Sequence, residues 1–98
     1  VGAACATGLG EAIIKICGSH AIVELMRNGE SPEKACKIVI QRIKNSNKDL
    51  KDLQVGFIAM NKRGEIGSYS LYSGFNYAYQ DIQRFKLIDS QYDFEWED

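Results

Sequence analysis

A threonine and two glycines lie close together near the start of the sequence, within the stretch ACATGLGEAI of residues 4–13. Small apolar residues precede them and an acidic, apolar segment follows, which is typical of a junction between a strand and a helix. Thr7 supplies a hydroxyl, Gly8 supplies a backbone amide with no side chain beside it, and Gly10 lets a ligand approach the main chain. These groups are suited to binding an anion or to stabilising a developing negative charge.

Three interpretations of this junction are open from the residues alone. It is a tight strand-to-helix turn with glycine at a positive φ, a phosphate-binding turn, or part of an acyl-transfer site whose hydroxyl and amide stabilise an oxyanion. Phosphate is the least favoured ligand, because a GxGxxG pattern that begins at Gly8 would end on the bulky Ile13 and no GK[ST] follows. Glu11 would also repel a phosphate. The structural turn and the oxyanion hole remain.

The cysteines favour packing over chemistry. Cys5, Cys17 and Cys36 are an odd number at wide spacing, and no CxxC pair is present. Each lies among apolar neighbours, where buried free thiols are common. We therefore expect three packed thiols, no metal site and no cofactor.

Two further groups of side chains invite a functional interpretation that their context does not favour. His20, the sole histidine, lies inside a predicted helix and far from any nucleophile pattern, so we expect it to be packed or on the surface. Tyr69, Tyr72, Tyr77 and Tyr79 could form a platform for a sugar. Alternate aromatic residues on strands more often pack a sheet, and we expect that role for them.

Composition and charge limit the class of protein. With 98 residues, 45% hydrophobic and 26% charged, the chain suits one soluble globular domain or a part of a larger one. Five of its thirteen acidic residues lie in residues 89–98, which leaves eight against twelve basic residues before them, a surplus of four positive charges. The basic residues are interspersed with acids, as Lys34 is beside Glu33, so we expect no nucleic-acid partner. No apolar run approaches the roughly 20 residues that span a membrane, and we expect the protein to have no membrane partner.

The periodicity of residues 11–46 predicts two helices. Apolar residues recur along residues 11–28, and Gly18 within this helix indicates close packing against a neighbouring backbone. The second helix is capped by Ser31 and begins at Pro32. Its apolar face consists of Ala35, Cys36, Val39, Ile40 and Ile43.

The remaining segments predict strands. Residues 1–6 and 53–60 are apolar enough to be covered on both faces, and residues 61–65 form a hairpin turn with Gly64 in the left-handed region before a strand over 66–71. A further strand covers residues 75–80. The order strand, helix, helix, strand, strand, strand predicts two antiparallel helices on one face of a mostly antiparallel sheet, with a missing layer on the other face. The acidic tail has no identifiable partner, apart from Phe94 and Trp96, which could pin it to a surface.

These segments resemble a known family. CATGLGEAIIK and VELMRNGESPEKAC, followed by LQVGFIAMNKRGEIGSYSLYSGFNYA, are similar to the C-terminal part of glycosylasparaginases, especially bacterial ones, over about residues 1–82. The TGxGE core is shared with the wider threonine-type asparaginase and isoaspartyl-peptidase family. The segment VGFIAMNKRGEIGSY favours the glycosylasparaginase branch.

The resemblance implies an N-terminal nucleophile hydrolase, an α/β protein in which this chain is part of a four-layer α/β/β/α sandwich. Such precursors cleave themselves, and the new N-terminal threonine is the nucleophile, with its own α-amino group as base. The family hydrolyses the amide bond between N-acetylglucosamine and asparagine. By this match Thr7 and Gly8 form the oxyanion hole, and Thr7, Gly8, Leu9 and Gly10 contact the substrate.

In the family, the nucleophile lies upstream of the matched part. The Arg and Asp that bind the substrate also lie upstream of it. Thr7 is the only threonine and matches the oxyanion hole, so the resemblance implies that this chain is inactive alone. Residues 1–88 would be the C-terminal half of the catalytic β subunit, and residues 89–98 an acidic tail. The implied partners are the rest of the precursor (the α subunit and the N-terminal part of the β subunit) and a glycosylated asparagine. The resemblance also implies an oligomer of αβ units and a periplasmic or lysosome-like location.

Two other functions remain open. An isoaspartyl peptidase or asparaginase of the same fold would differ mainly in the breadth of its pocket. A noncatalytic α/β interaction module that completes a partner's sheet would lack the upstream nucleophile.

Overall fold

Three helices lie against one face of a four-stranded sheet in the computed structural model, which describes residues 1–96. The elements in chain order are β1 (Gly2–Gly8), α1 (Gly10–Lys15), α2 (Gly18–Arg27), α3 (Pro32–Ser46), β2 (Val55–Asn61), β3 (Ile66–Tyr72), β4 (Asn76–Gln80), β5 (Phe85–Asp89) and β6 (Tyr92–Phe94). The predicted mixed α/β class is confirmed.

The sheet is mostly antiparallel, as predicted. Its strand order is β1-β2-β3-β6, with β1–β2 and β2–β3 antiparallel and the short β6 parallel to β3. Strands β4 and β5 form a separate antiparallel hairpin. The register places Thr7 opposite Gly56, and Gly56 opposite Ser70 on the next strand.

The core lies between the sheet and the helices. Alternate residues of β2, namely Val55, Phe57 and Ala59, are buried beneath the helices together with Leu71 of β3. The five residues predicted for the inner face of α3 are all fully buried. The cap of α3 is confirmed too, because the Ser31 hydroxyl accepts a hydrogen bond from the Lys34 amide at 3.2 Å.

The predicted single helix over residues 11–28 is wrong in one respect, because it is broken into α1 and α2. Cys17 separates them in the left-handed region at φ 51°. Gly18 then packs against the ring of Phe57, where an added Cβ would lie 2.8 Å from the ring carbons. The close neighbour of Gly18 is thus a side chain, and the expected backbone neighbour is not found there.

The expectation for the cysteines is correct only for Cys36. Cys36 is buried in α3, and burial raises the pKa of its thiol to about 12. Cys17 is exposed at the break between the helices, and Cys5 is exposed on the sheet. Cys5 lies on the face that the helices leave uncovered, which local apolar composition could not reveal.

The sheet face opposite the helices, which we call the outer face, is only partly covered by the described residues. Strand β1 is largely exposed, and Met60 beside it is 49% exposed, although the sequence predicts that both segments are buried on both faces. The β4–β5 hairpin leans over this face and leaves a cavity of about 380 Å³ between Ile58, Ile66 and Tyr77. A further layer over the outer face remains a prediction.

The acidic tail has a structural partner that the sequence did not identify. Within it, β6 pairs with β3, and the indole of Trp96 stacks on the ring of Tyr72 at 4.1 Å between centroids. Phe94 lies 5.6 Å from the same ring. The expectation that Phe94 and Trp96 pin the tail is confirmed, and the acidic residues at 97 and 98 lie outside the described residues.

Candidate active site

The Thr7–Gly10 segment forms a turn that joins β1 to α1, and we call it the Thr7–Gly10 turn. Thr7 and Gly8 are the last residues of β1, and Gly10 is the first residue of α1. The Leu9 amide donates to the carbonyl oxygen of Gln54 at 3.0 Å, and the Leu9 carbonyl accepts from the Ala12 amide at 3.2 Å. The turn is therefore fixed at one end by β2 and at the other by the helix that follows.

Gly8 adopts a backbone conformation that other residues rarely reach. Its φ is +112°, which confirms the positive φ expected of a turn glycine. An added Cβ at this residue would overlap the Gln54 carbonyl oxygen and lie 2.8 Å from the Cα of Val55. Glycine is thus required at this position for both conformation and space.

The pairing of β1 with β2 determines which amides of the turn are available. Leu9 is bonded to Gln54, so the alternation of an antiparallel ladder makes Gly8 and Val55 a non-hydrogen-bonded pair. The Gly8 amide is then directed away from β2, toward the edge of the sheet that β1 leaves open among the described residues. The Leu9 amide is already occupied and cannot serve a ligand.

The Thr7 hydroxyl belongs to the outer face beside this open edge. Thr7 is exposed and lies opposite Gly56, where an added Cβ would meet the ring of Phe75 at 2.9 Å. The predicted site residues are therefore brought together as one exposed turn. Leu9 is 47% exposed, and among the described residues no atom outside the chain neighbours of Gly10 and the backbone of α1 lies within 4 Å of the position that a Cβ of Gly10 would take. Among the described residues the turn therefore offers a hydroxyl, a Gly8 amide that β2 does not use, and open space beside Gly10.

Gln54 is a site residue that sequence reasoning missed. Its carbonyl accepts from Leu9, while its side-chain amide donates to the Tyr72 carbonyl at 2.9 Å and accepts from the Tyr72 amide at 2.9 Å. The one signal in the sequence is that a polar residue stands directly before the apolar strand VGFIAM.

A second polar cluster centres on Asp93 in the tail. The Asp93 carboxylate accepts from the Tyr69 hydroxyl at 2.7 Å and from Gln41 Nε2 at 2.7 Å, and it pairs with Lys44 Nζ at 3.1 Å. Burial alone would raise the pKa of Asp93, but these three donors outweigh it and hold the pKa below its usual range. Burial and the bond to Asp93 raise the pKa of Tyr69 to about 12. This cluster ties β6 to α3 and β3.

His20, Tyr69 and Tyr72 have the surface or packing positions that the sequence predicts, whereas Tyr77 and Tyr79 line the cavity on the outer face. His20 is exposed on α2. Tyr69 is buried in the core, and the Tyr72 hydroxyl donates to the Leu50 carbonyl at 2.7 Å. Among the described residues no group of three or more His, Cys, Asp and Glu side chains could hold a metal ion. No helix of the described part is long and apolar enough to cross a membrane.

Comparison with known proteins identifies the family to which this turn belongs. The family model described as asparaginase matches residues 1–87. The chain belongs to the asparaginase family. The resemblance to glycosylasparaginases is confirmed by an N(4)-(β-N-acetylglucosaminyl)-L-asparaginase of Elizabethkingia miricola, which is 51% identical over 85 residues, 83% of this chain. An enzyme of the same name from Rattus norvegicus is 48% identical over 42 residues, 43% of this chain.

The matches cover only a part of each relative. The chain spans 25% of the length of the Elizabethkingia relative and 12% of the rat relative. The asparaginase match includes the whole Thr7–Gly10 turn and Gln54, and it ends at residue 87, within β5. Strand β6, with Asp93, and the stacked Trp96 therefore lie beyond the part of the chain that the asparaginase family defines.

Proposed function

We propose that the full-length protein that contains this chain is an amidohydrolase that cleaves the bond between N-acetylglucosamine and the side-chain amide of asparagine. The family match over residues 1–87 and the 51% identity to a protein named for that activity support this function. In this proposal the chain contributes the oxyanion hole and a wall of the substrate pocket. The nucleophilic threonine lies outside it, so the chain alone has no activity.

One observation supports the role of the turn above the others. The Thr7 hydroxyl and the Gly8 amide are adjacent donors, and within residues 1–96 the pairing of β1 with β2 leaves that amide unused at the edge of the sheet. A carbonyl oxygen placed there would gain two hydrogen bonds as it becomes an oxyanion. Loss of one such donor typically raises the barrier by about 3–4 kcal/mol.

The proposed reaction proceeds by acyl transfer. The N-terminal threonine hydroxyl attacks the amide carbon while its α-amino group takes the proton. Thr7 and Gly8 stabilise the tetrahedral oxyanion, which collapses and releases the glycosylamine with that proton. Water then attacks the acyl-enzyme ester and gives a proton to the α-amine, and the same two donors stabilise the second oxyanion. Its collapse breaks the ester bond, returns the proton to the threonine oxygen and releases aspartate. Leu9 and Gly10 line the pocket for the free amino-acid end of the substrate.

The uncovered outer face supports the four-layer arrangement as part of this proposal. Residues of β1 and β2 on that face, including Cys5 and Ile58, are apolar and only partly covered by the hairpin. A second sheet from the rest of the precursor would bury them, and αβ units would assemble from such precursors.

The test is a pair of substitutions at Thr7 in the full-length protein. Thr7→Val keeps the shape and removes the donor, so kcat should fall roughly a hundredfold with KM little changed. Thr7→Ser keeps a hydroxyl and should retain much of the rate. Mass spectrometry must first show complete autocleavage of each variant, because a processing defect would imitate a catalytic one. A fully cleaved Thr7→Val enzyme with wild-type kcat would make Thr7 structural.

The choice of substrate is tested in parallel. Turnover of a glycosylated asparagine by the wild-type enzyme should exceed turnover of a β-aspartyl dipeptide. The reverse order would assign the protein to the isoaspartyl peptidase branch, and turnover of neither substrate would favour an interaction module.

A further inference from the structure

Gln54 contacts the Thr7–Gly10 turn through its main chain, at two residues. Its carbonyl oxygen accepts from the Leu9 amide at 3.0 Å. The same oxygen packs against Gly8 so closely that a Cβ there would overlap it. The position of this one carbonyl therefore constrains the Gly8–Leu9 peptide, which adjoins the peptide that carries the Gly8 amide.

The main chain of Gln54 is held in turn by its own side chain. Residue 54 lies one position before β2 begins, and the β2–β3 ladder runs from the Gly56–Ser70 pair away from it. Beyond the last pair of the ladder, the side-chain amide of Gln54 supplies the hydrogen bonds to the end of β3. Its Oε1 accepts from the Tyr72 amide at 2.9 Å, and its Nε2 donates to the carbonyls of Tyr72 at 2.9 Å and Ser73 at 3.3 Å.

The segment that receives these bonds is itself well anchored. The Tyr72 hydroxyl donates to the Leu50 carbonyl at 2.7 Å, and its ring stacks on Trp96. The Ser73 amide donates to the Phe94 carbonyl at 2.8 Å. The end of β3 thus offers Gln54 a fixed support that includes the tail.

We propose that Gln54 is a positioning residue that aligns the oxyanion donors of the Thr7–Gly10 turn. The inference rests on the proposed function of that turn. Donors must lie 2.7–3.1 Å from the oxyanion, and a misplacement of about 1 Å can cost roughly a hundredfold in rate. Release of the Gln54 side chain frees the carbonyl that holds Leu9 and Gly8, and it moves the donors without removing them.

The experiment compares two glutamines in the full-length enzyme. Gln54→Met keeps the length of the side chain and removes its hydrogen bonds. Gln41→Met is the matched control, because Gln41 is also partly buried and donates one 2.7 Å bond, to Asp93, away from the turn. We expect kcat of Gln54→Met to fall tenfold or more with KM within about twofold, since the loss falls on the transition state. Gln41→Met should keep wild-type kcat, whatever its effect on the melting temperature, because Tyr69 and Lys44 still hold Asp93 and the tail in place.

A double variant of Gln54 and Thr7 distinguishes misalignment of the oxyanion donors from general destabilisation of the enzyme. Both Gln54→Met and Thr7→Val act on the same oxyanion, so the double variant should lose less in kcat than the product of the single losses. Gln41→Met combined with Thr7→Val should show a simple product. A loss of kcat in Thr7→Val but none in Gln54→Met overturns this inference and leaves the proposed function intact. Wild-type kcat in Thr7→Val defeats the oxyanion role proposed for the turn, whereas the substrate-turnover test decides the proposed activity.

A second variant, Gln54→Glu, tests the proposal if Gln54→Met does not fold. Gln54→Glu keeps the acceptor for the Tyr72 amide and loses the donors, so its kcat should lie between those of wild type and Gln54→Met. Wild-type kcat in a processed Gln54→Glu enzyme contradicts the proposal. If neither Gln54 variant is processed while Gln41→Met is, Gln54 serves folding and the proposal is wrong.

Discussion

Gly8→Ala is the most direct structural perturbation of the candidate oxyanion hole. The added methyl would overlap the Gln54 carbonyl oxygen and lie 2.8 Å from the Val55 Cα, whereas ordinary contact begins at 3.4 Å. The distance to the Val55 Cα is therefore 0.6 Å shorter than an ordinary contact, the difference between 3.4 and 2.8 Å. Both neighbouring atoms belong to the backbone, so no rotamer change can move them away. Alanine also disfavours the observed φ of +112°.

The expected loss of stability in Gly8→Ala is the sum of the cost of the unfavourable φ and the cost of the overlap. A non-glycine residue in such a conformation costs about 1–3 kcal/mol, and the overpacking costs about 1–3 kcal/mol more, so the folded enzyme should lose roughly 2–6 kcal/mol of stability. The turn can relieve the overlap only by moving the Gly8 amide. A shift approaching 1 Å should lower kcat by roughly a hundredfold, although the Thr7 hydroxyl remains.

The assay measures kcat and KM of the processed full-length enzyme beside its unfolding curve. Gly10→Ala is the matched control for stability, because among the described residues no atom outside its chain neighbours and the backbone of α1 lies within 4 Å of its Cβ position, and Gly10 has no positive φ to lose. Its stability should be unchanged or higher, and its KM should rise if Gly10 lines the substrate pocket. A processed Gly8→Ala enzyme with wild-type kcat would refute the reasoning, since the donor geometry would then not depend on this residue.

Two further predictions concern the framework. Gly67→Ala should destabilise the protein by about 3 kcal/mol in denaturant unfolding, because the methyl would meet the backbone of Glu33 in the first turn of α3; a loss below about 1 kcal/mol would contradict this packing. Asp93→Asn should cost about 2 kcal/mol at pH 7, since Asp93 accepts charge-assisted bonds from Tyr69 and Lys44. Because the pKa of Asp93 is lowered in the folded state, its contribution is complete above about pH 5 and lost as the pH falls through that lowered pKa, so the difference in melting temperature between wild type and variant should shrink toward pH 3. A difference that is constant from pH 7 to pH 3 would contradict the assigned charge.

Local signals were sufficient to predict the helix α3 and the turn after β2. Ser31 and Pro32 determine where α3 begins, and its apolar face is complete enough to fix which side is buried. Gly64 has the predicted positive φ, at +82°. In each case the cause lies within a few residues of the feature, so a single sequence is enough.

The missed features depend on partners distant in the sequence. Nothing near Cys17 requires the left-handed conformation, and the break becomes intelligible only once Gly18 is seen against Phe57. Strand β6 is three residues long and is held by β3 and by the bonds to Asp93, which come from α3 and β3. Composition could identify the tail as acidic but could not supply these contacts.

The same distinction applies to the candidate site. Thr7 and Gly8 could be singled out because their side-chain types are informative, a hydroxyl and the absence of a side chain. Gln54 could not, because it acts on the turn through a main-chain carbonyl that every residue possesses. The identity of residue 54 matters only through the bonds of its amide to Tyr72, which the sequence does not indicate.

The two edges of the sheet differ, and the difference explains why the candidate site, the Thr7–Gly10 turn, lies at the end of β1. At one edge β6 pairs with β3, and Asp93 and Trp96 hold it there. At the other edge β1 has no neighbour among the described residues, so the Gly8 amide, which points away from β2, stays free there for a ligand. A hydrogen bond that consumed this amide in the assembled enzyme would abolish the donor, so a neighbouring strand from the rest of the precursor should stop short of Gly8. Hydrogen exchange of the Gly8 amide in the processed enzyme tests this, because it should be fast without a ligand and slowed by a substrate analogue.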